Sequence, residues 1–290
     1  MKRNVIIGSI VAVAALVIAI PALADHSWGG YHWARTSNPL PLELGNNVSS
    51  DWLAYLNEAS ADWNVSAVLD TVIKAGKTNN TKGRNTPKNC VATLGRVEVC
   101  NASYGANGWL GLAQIWLYSD GHIAQGTAKL NDTYFGTASY SSAAWKRLVM
   151  CQEVAHAFGL DHQDEGFGNA NLGTCMDYTN APAGGVVDGF DYGASNEHPN
   201  QHDHDQLAAI YAHLDSSNSY ILTTDDGGSS GPGNGKGKNR GVAEIVASGD
   251  VTNASEWGRA VGTDGKGRDN LFVRNLGNGA KLITHVFWAE

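Results

Sequence analysis

The chain reads as an α+β protein, a twisted sheet with helices packed on it, and three observations predict this. Apolar residues recur at helical spacing at Trp52, Leu56, Ala59 and Trp63, and again at Trp145, Leu148 and Val149. Runs with strand character occupy residues 65–74, 112–118 and 123–130. The order is therefore one helix within a run of strands, followed by a long second helix.

Residues 1–24 have the layout of a secretory signal, with Lys2 and Arg3, an apolar run from 5 to 20, and Ala22 and Ala24 in a small-x-small cleavage pattern. Its removal takes two positive and no negative charges from a formal net charge of -8, leaving -10. An acidic chain has no electrostatic footprint for nucleic acid or anionic membrane, so neither is expected as a partner. The expected location is secreted, or at the cell envelope.

Residues 25–224 form the main domain. After an extended stretch at 32–44, Ser49 or Ser50 caps the first helix. Ser141 or Ser142 caps the long helix, which runs to Phe158 and stops at Gly159. A last helix, about 203–214, carries Leu207, Ile210, Tyr211 and Leu214 on one face. Residues 225–241, rich in Gly and Ser, read as a flexible linker. Residues 242–290 read as a separate small β appendage, with strands at 242–247, 271–273 and 282–288 and a turn at Gly277-Asn278-Gly279.

Cys90, Cys100, Cys151 and Cys175 allow three disulfide connectivities in an exported chain. Residues 90–100 read as two short strands around Gly95-Arg96, which favours Cys90–Cys100 and leaves Cys151 with Cys175. Six Asn-x-Ser/Thr acceptors, at Asn47, Asn64, Asn79, Asn101, Asn131 and Asn253, are read as chance in a chain rich in these residues.

The chemistry lies in residues 152–162. Gln152 and His156 are one helical turn apart on a shared face and can grip one metal ion. Gly159 lets the backbone leave the helix through a left-handed conformation, so that His162 returns as a third ligand, with Glu153 beside the ion. The segment resembles the metzincin signature H-E-x-x-H-x-x-G-x-x-H at Glu153, His156, Gly159 and His162, and departs from it at Gln152. Residues 173–178, with Met176, resemble the Met-turn of that family, and residues 30–215 resemble a matrixin-type catalytic domain.

The resemblance implies a zinc-dependent endopeptidase acting on protein or peptide substrates, with Glu153 as general base and Tyr178 supporting the oxyanion. It also implies an edge strand at 123–130 for pairing with a peptide, with sheet core as the equal alternative for that strand. No cysteine precedes the domain, so thiolate-blocked latency is not expected.

A neutral amide is a poor zinc donor, and three outcomes stay open: Gln152 binds through its oxygen, another residue fills the gap, or the ion is lost and the chain is a binding pseudoenzyme. His202 and His204 are further candidate ligands, with a surface or capping role as the plainer reading. Trp109 and Trp116 are candidate subsite residues, against the commoner reading of large strand aromatics as packing. Asp161, Asp164, Glu165, Asp188 and Asp191 are candidates for a structural Ca2+ site, against the simpler reading of solvated loops.

Overall fold

The computed structural model describes residues 26–77, 89–223, 229–230 and 251–290. The signal segment, Asn79, most of the linker and the strand expected at 242–247 lie outside the described residues. The elements in chain order are β1 (Leu40–Asn47), α1 (Ser50–Trp63), β2 (Leu69–Ala75), β3 (Val97–Ala102), β4 (Trp109–Leu117), β5 (Ile123–Asn131), the single turn α2 (Asp132–Phe135), α3 (Ala143–His156), the short pair β6 (Val186–Val187) and β7 (Phe190–Asp191), and α4 (Gln201–Ile210). They are followed by the short pair β8 (Leu222–Thr223) and β9 (Ser229–Ser230), then β10 (Arg259–Thr263), β11 (Asp269–Gly277) and β12 (Ala280–Trp288). No helix among the described residues is long and apolar enough to cross a membrane.

One mixed sheet of eight strands, in the order β10-β11-β12-β4-β5-β3-β1-β2, organises the molecule. The C-terminal strands thus depart from the expected separate appendage. β12 pairs antiparallel with β4 over the whole length of both, from Lys281 opposite Leu117 to Trp288 opposite Trp109. The reason lies in the alternation along β12: Ile283, His285 and Phe287 face one side of the sheet, while Leu282, Thr284 and Val286 face the other. Both sets are buried. A strand apolar on both faces needs covering on both faces, and the middle of a larger sheet supplies that.

On one face, α3 packs over β4 and β5 and α1 lies beside it over β2, enclosing Trp33, Leu56, Trp63, Ile115, Leu148, Ile283 and Phe287 in the main core. On the other, Trp109, Leu112, Trp116, Leu282 and Val286 pack with Val251 and Trp257 in a second cluster. Trp109 and Trp116 are therefore packing residues on the face away from α3, not subsite residues. β5 lies between β4 and β3, so the strand at 123–130 offers no free edge to a peptide.

Both disulfides form as expected, Cys90–Cys100 and Cys151–Cys175. They suit an oxidising compartment outside the cytoplasm. The hairpin invoked for the first does not form: residues 90–96 have no regular structure, and only β3 is a strand, paired in parallel with β1 and β5. Cys90 is instead carried back beside Cys100 by an irregular loop. Asn47, Asn101 and Asn131 are buried, which agrees with reading their acceptor motifs as chance.

Candidate metal centre

The long helix begins where its cap predicts, with Ser142 Oγ accepting from Trp145 N–H, and its last two turns carry Gln152, Glu153 and His156. Gly159 then adopts a φ of +99°, and a side chain there would run into the Tyr31 carbonyl, so glycine is required twice over. That reversal brings the His162 ring back to α3: His156 Nε2 and His162 Nε2 lie 3.1 Å apart. The Cys151–Cys175 bridge ties the helix to the segment carrying Met176 and Tyr178, both fully buried.

The third imidazole comes from the far end of the chain. His285, on β12, lies 4.1 Å from His156 and 4.4 Å from His162 between ring centroids. Its cross-strand neighbour on β4 is Ala113. Gly111, two residues away on the same face, lies against the Glu153 carboxylate, where a Cβ would collide with it. Small residues on β4 thus make room for both the acid and the extra histidine. Ligand atoms of His156, His162 and His285 all fall within 4.8 Å of one another.

The surrounding hydrogen bonds test whether this cluster suits a cation. His156 Nδ1 donates to the Leu160 carbonyl at 2.8 Å, and His162 Nδ1 donates to Glu165 Oε1 at 2.9 Å. With Nδ1 so engaged, Nε2 is the nitrogen each ring has left for a cation, and two such atoms facing at 3.1 Å repel unless a proton or a metal ion lies between them. This outer support of ring nitrogens is the arrangement that orients metal-binding imidazoles. Tyr178 Oη lies 3.1 Å from His285 Nε2 and 3.4 Å from the Val286 carbonyl, so donation to that carbonyl leaves the hydroxyl to accept from Nε2–H. His285 Nδ1, buried and without a hydrogen-bond partner among the described residues, is then the free donor atom. The set fits zinc, which favours imidazole nitrogen.

Gln152 is more informative than its type suggested. Its amide donates to the Cys175 carbonyl at 2.8 Å, which fixes the side chain and leaves Oε1 buried without a hydrogen-bond partner among the described residues. Tyr178 orients His285 in this arrangement. His202 stacks on His26 and His204 meets the edge of Trp63, and neither belongs to the histidine cluster. Among the calcium candidates, Asp164 accepts from Gly166 N–H and Asn169, Asp191 accepts from Gly193 N–H, and Glu165 is engaged by His162 and by Asn270 of β11.

Burial, aggravated by the neighbouring imidazoles, holds His156 and His285 well below the ordinary histidine value of 6.5. Burial alone raises the Glu153 carboxyl well above the usual range. The histidine shift has a stability consequence. The unfolded chain binds protons at these rings that the folded chain refuses, so the contribution is complete above pH 6.5 and is lost as pH falls below it. The raised Glu153 carboxyl works in the opposite direction over the same range, so the test uses metal-free Glu153→Gln: chemical denaturation between pH 7.5 and 5 should show stability falling as pH falls, and a flat profile in that variant would mean that the rings are not buried as neutral bases.

His285 was missed by sequence reasoning, which treated its segment as a separate unit. A signal was present: within 282–288 the histidine falls in register with Ile283 and Phe287, on an apolar face where an unpartnered ring is costly.

No family model matches the chain, and no curated protein matches it. Among solved structures, the chain is similar to high choriolytic enzyme 1, a hatching-enzyme zinc-protease from the medaka fish Oryzias latipes, at 12% identity and a TM-score of 0.35, covering 64% of this chain and 96% of that one. It is also similar to myroilysin, at 12% identity and a TM-score of 0.35, covering 63% and 84%. With likeness at that level, the metal centre stands on its own geometry.

Proposed function

We propose that the chain is an exported zinc metallopeptidase of metzincin type whose ion is held by His156, His162 and His285, with the Gln152 oxygen as a further donor. The observation that carries this reading is the pair of facing Nε2 atoms 3.1 Å apart, each with its other nitrogen hydrogen-bonded, and Glu153 one turn of helix before His156. Zinc bound there would supply Lewis acidity, polarising a peptide carbonyl and acidifying water. The positive charge would also counter the burial that keeps Glu153 protonated. As a carboxylate, Glu153 accepts a proton from the attacking water and returns it to the leaving nitrogen.

A specific observation favours a second reading, that of a zinc-containing binding protein without turnover. β12 fills the outer edge of β4, and His156, Glu153 and His285 are almost wholly buried, so an extended peptide has no route to the centre while β12 is in place. Turnover therefore requires the β4–β12 seam to open.

One experiment separates these readings. Protein purified without chelators is expected to hold zinc in this centre and to degrade an unfolded protein. Glu153→Gln should keep the zinc and lose roughly 10²–10⁴-fold in rate, the usual worth of a general base. Zinc without cleavage in the parent would establish the binding reading, and no zinc at these histidines would overturn both.

A further inference from the structure

A second group of metal-competent side chains lies outside this centre. His32 comes from the N-terminal segment, and His213 and Asp215 from the chain just after α4; their ligand atoms all fall within 4.8 Å of one another. Asp215 is the hub. Its Oδ2 lies 3.6 Å from His32 Nε2, and its Oδ1 lies 3.4 Å from His213 Nε2.

His32 gives the sharpest indication. Its Nδ1 donates to the Gly30 carbonyl at 2.9 Å, which leaves Nε2 as the nitrogen available to a cation. That atom is buried, has no hydrogen-bond partner among the described residues, and faces a carboxylate oxygen. A ring nitrogen and a carboxylate oxygen face each other favourably only with a cation between them, a proton or a metal ion. The His213 ring stands nearly perpendicular to it, at 85° and 4.8 Å between centroids, so the two rings can share an ion without stacking.

Asp215 is held in place from two further directions. Arg35 N–H donates to Oδ2 at 3.0 Å, and His122, in the turn between β4 and β5, puts Nε2 3.2 Å from Oδ1. His122 Nδ1 is in turn 3.1 Å from Asp120. A carboxylate braced in this way matches the outer support usual around metal ligands.

We infer that His32, His213 and Asp215 form a second zinc site, with His122 as a positioning residue for Asp215. Two imidazoles and a carboxylate are a recognised zinc donor set, and the exposed His213 leaves room for water in the fourth position. The role is structural: the ion would pin residues 26–35 to the chain after α4. That segment carries Trp28, stacked on His156 at 4.9 Å, so the second site would stiffen one wall of the first.

The test is zinc stoichiometry on the full chain, by elemental analysis after dialysis against dilute zinc, together with the melting temperature at each loading. His213 is exposed, so His213→Ala removes a ligand without emptying the core. We expect two zinc ions per parent chain, one in His213→Ala, and a zinc-dependent rise in melting temperature that is smaller in this variant. His32→Gln should behave as His213→Ala does. Equal stoichiometry in parent and His213→Ala would overturn the proposal and leave His–Asp ion pairing as the role of the cluster. Because His285→Ala acts only on the other centre, failure of one site is distinguishable from failure of the other.

Discussion

Replacing His285 by alanine is expected to strip zinc from the histidine centre while leaving the fold in place. The substitution removes one of three imidazoles whose ligand atoms fall within 4.8 Å of one another. Removing even an outer-sphere partner of a zinc ligand costs roughly 10–100-fold in affinity, so loss of an inner ligand should cost at least that. The fold should tolerate the change, because β12 keeps its backbone pairing with β4 and β11, and Ile283 and Phe287 still pack against α3. Zinc competition with a calibrated chelator measures the loss, and circular dichroism shows whether the sheet survives. His285→Asn, closer in volume, guards against a cavity effect. If both variants hold zinc as tightly as the parent, β12 only covers the centre and does not bind its ion.

How much of this was legible in the chain depends on the range of the interactions. The helix of the centre was readable to within a residue or two because its signals are local: a serine cap, an apolar stripe and a glycine stop. His156, Gly159 and His162 follow from the same local geometry, since a helical turn and a left-handed glycine fix where the side chains return. Residues 282–288 were recognisable as a strand, with a turn at Gly277-Asn278-Gly279. Their partner was not, because pairing is chosen by complementary faces more than a hundred residues away. A stretch of Gly and Ser reads as a boundary between units, yet composition of a linker says nothing about where the following strand docks.

The same distinction explains Cys90. Its partner was found for a reason that did not hold, as two cysteines ten residues apart meet in a loop as readily as in a hairpin. His32, His213 and Asp215 were beyond reach for the reason that hid His285: each is unremarkable locally, and only the fold brings them together. What the sequence did flag as anomalous was Gln152, and the anomaly has a physical counterpart. On the proposed reading, His285 of β12, beside the small residues Gly111 and Ala113, supplies the imidazole that position 152 lacks.

That compensation can be tested by moving the imidazole back. Gln152→His introduced into His285→Ala is expected to restore the zinc that His285→Ala loses. Position 152 lies one helical turn before His156, so an imidazole there shares its face. The side chain it replaces is already directed by the Cys175 carbonyl, which can accept from the other ring nitrogen as it now accepts from the glutamine amide. The coupling should be strongly non-additive: Gln152→His alone adds a donor to a centre that already has three imidazoles, whereas in His285→Ala it replaces the missing one. The double variant keeps β12 paired along β4, so its cleavage of an unfolded protein should still depend on opening of that seam. Failure to recover zinc, with the sheet intact, would mean that position 152 faces away from the ion and that Gln152 serves only to hold the segment carrying Met176 against α3.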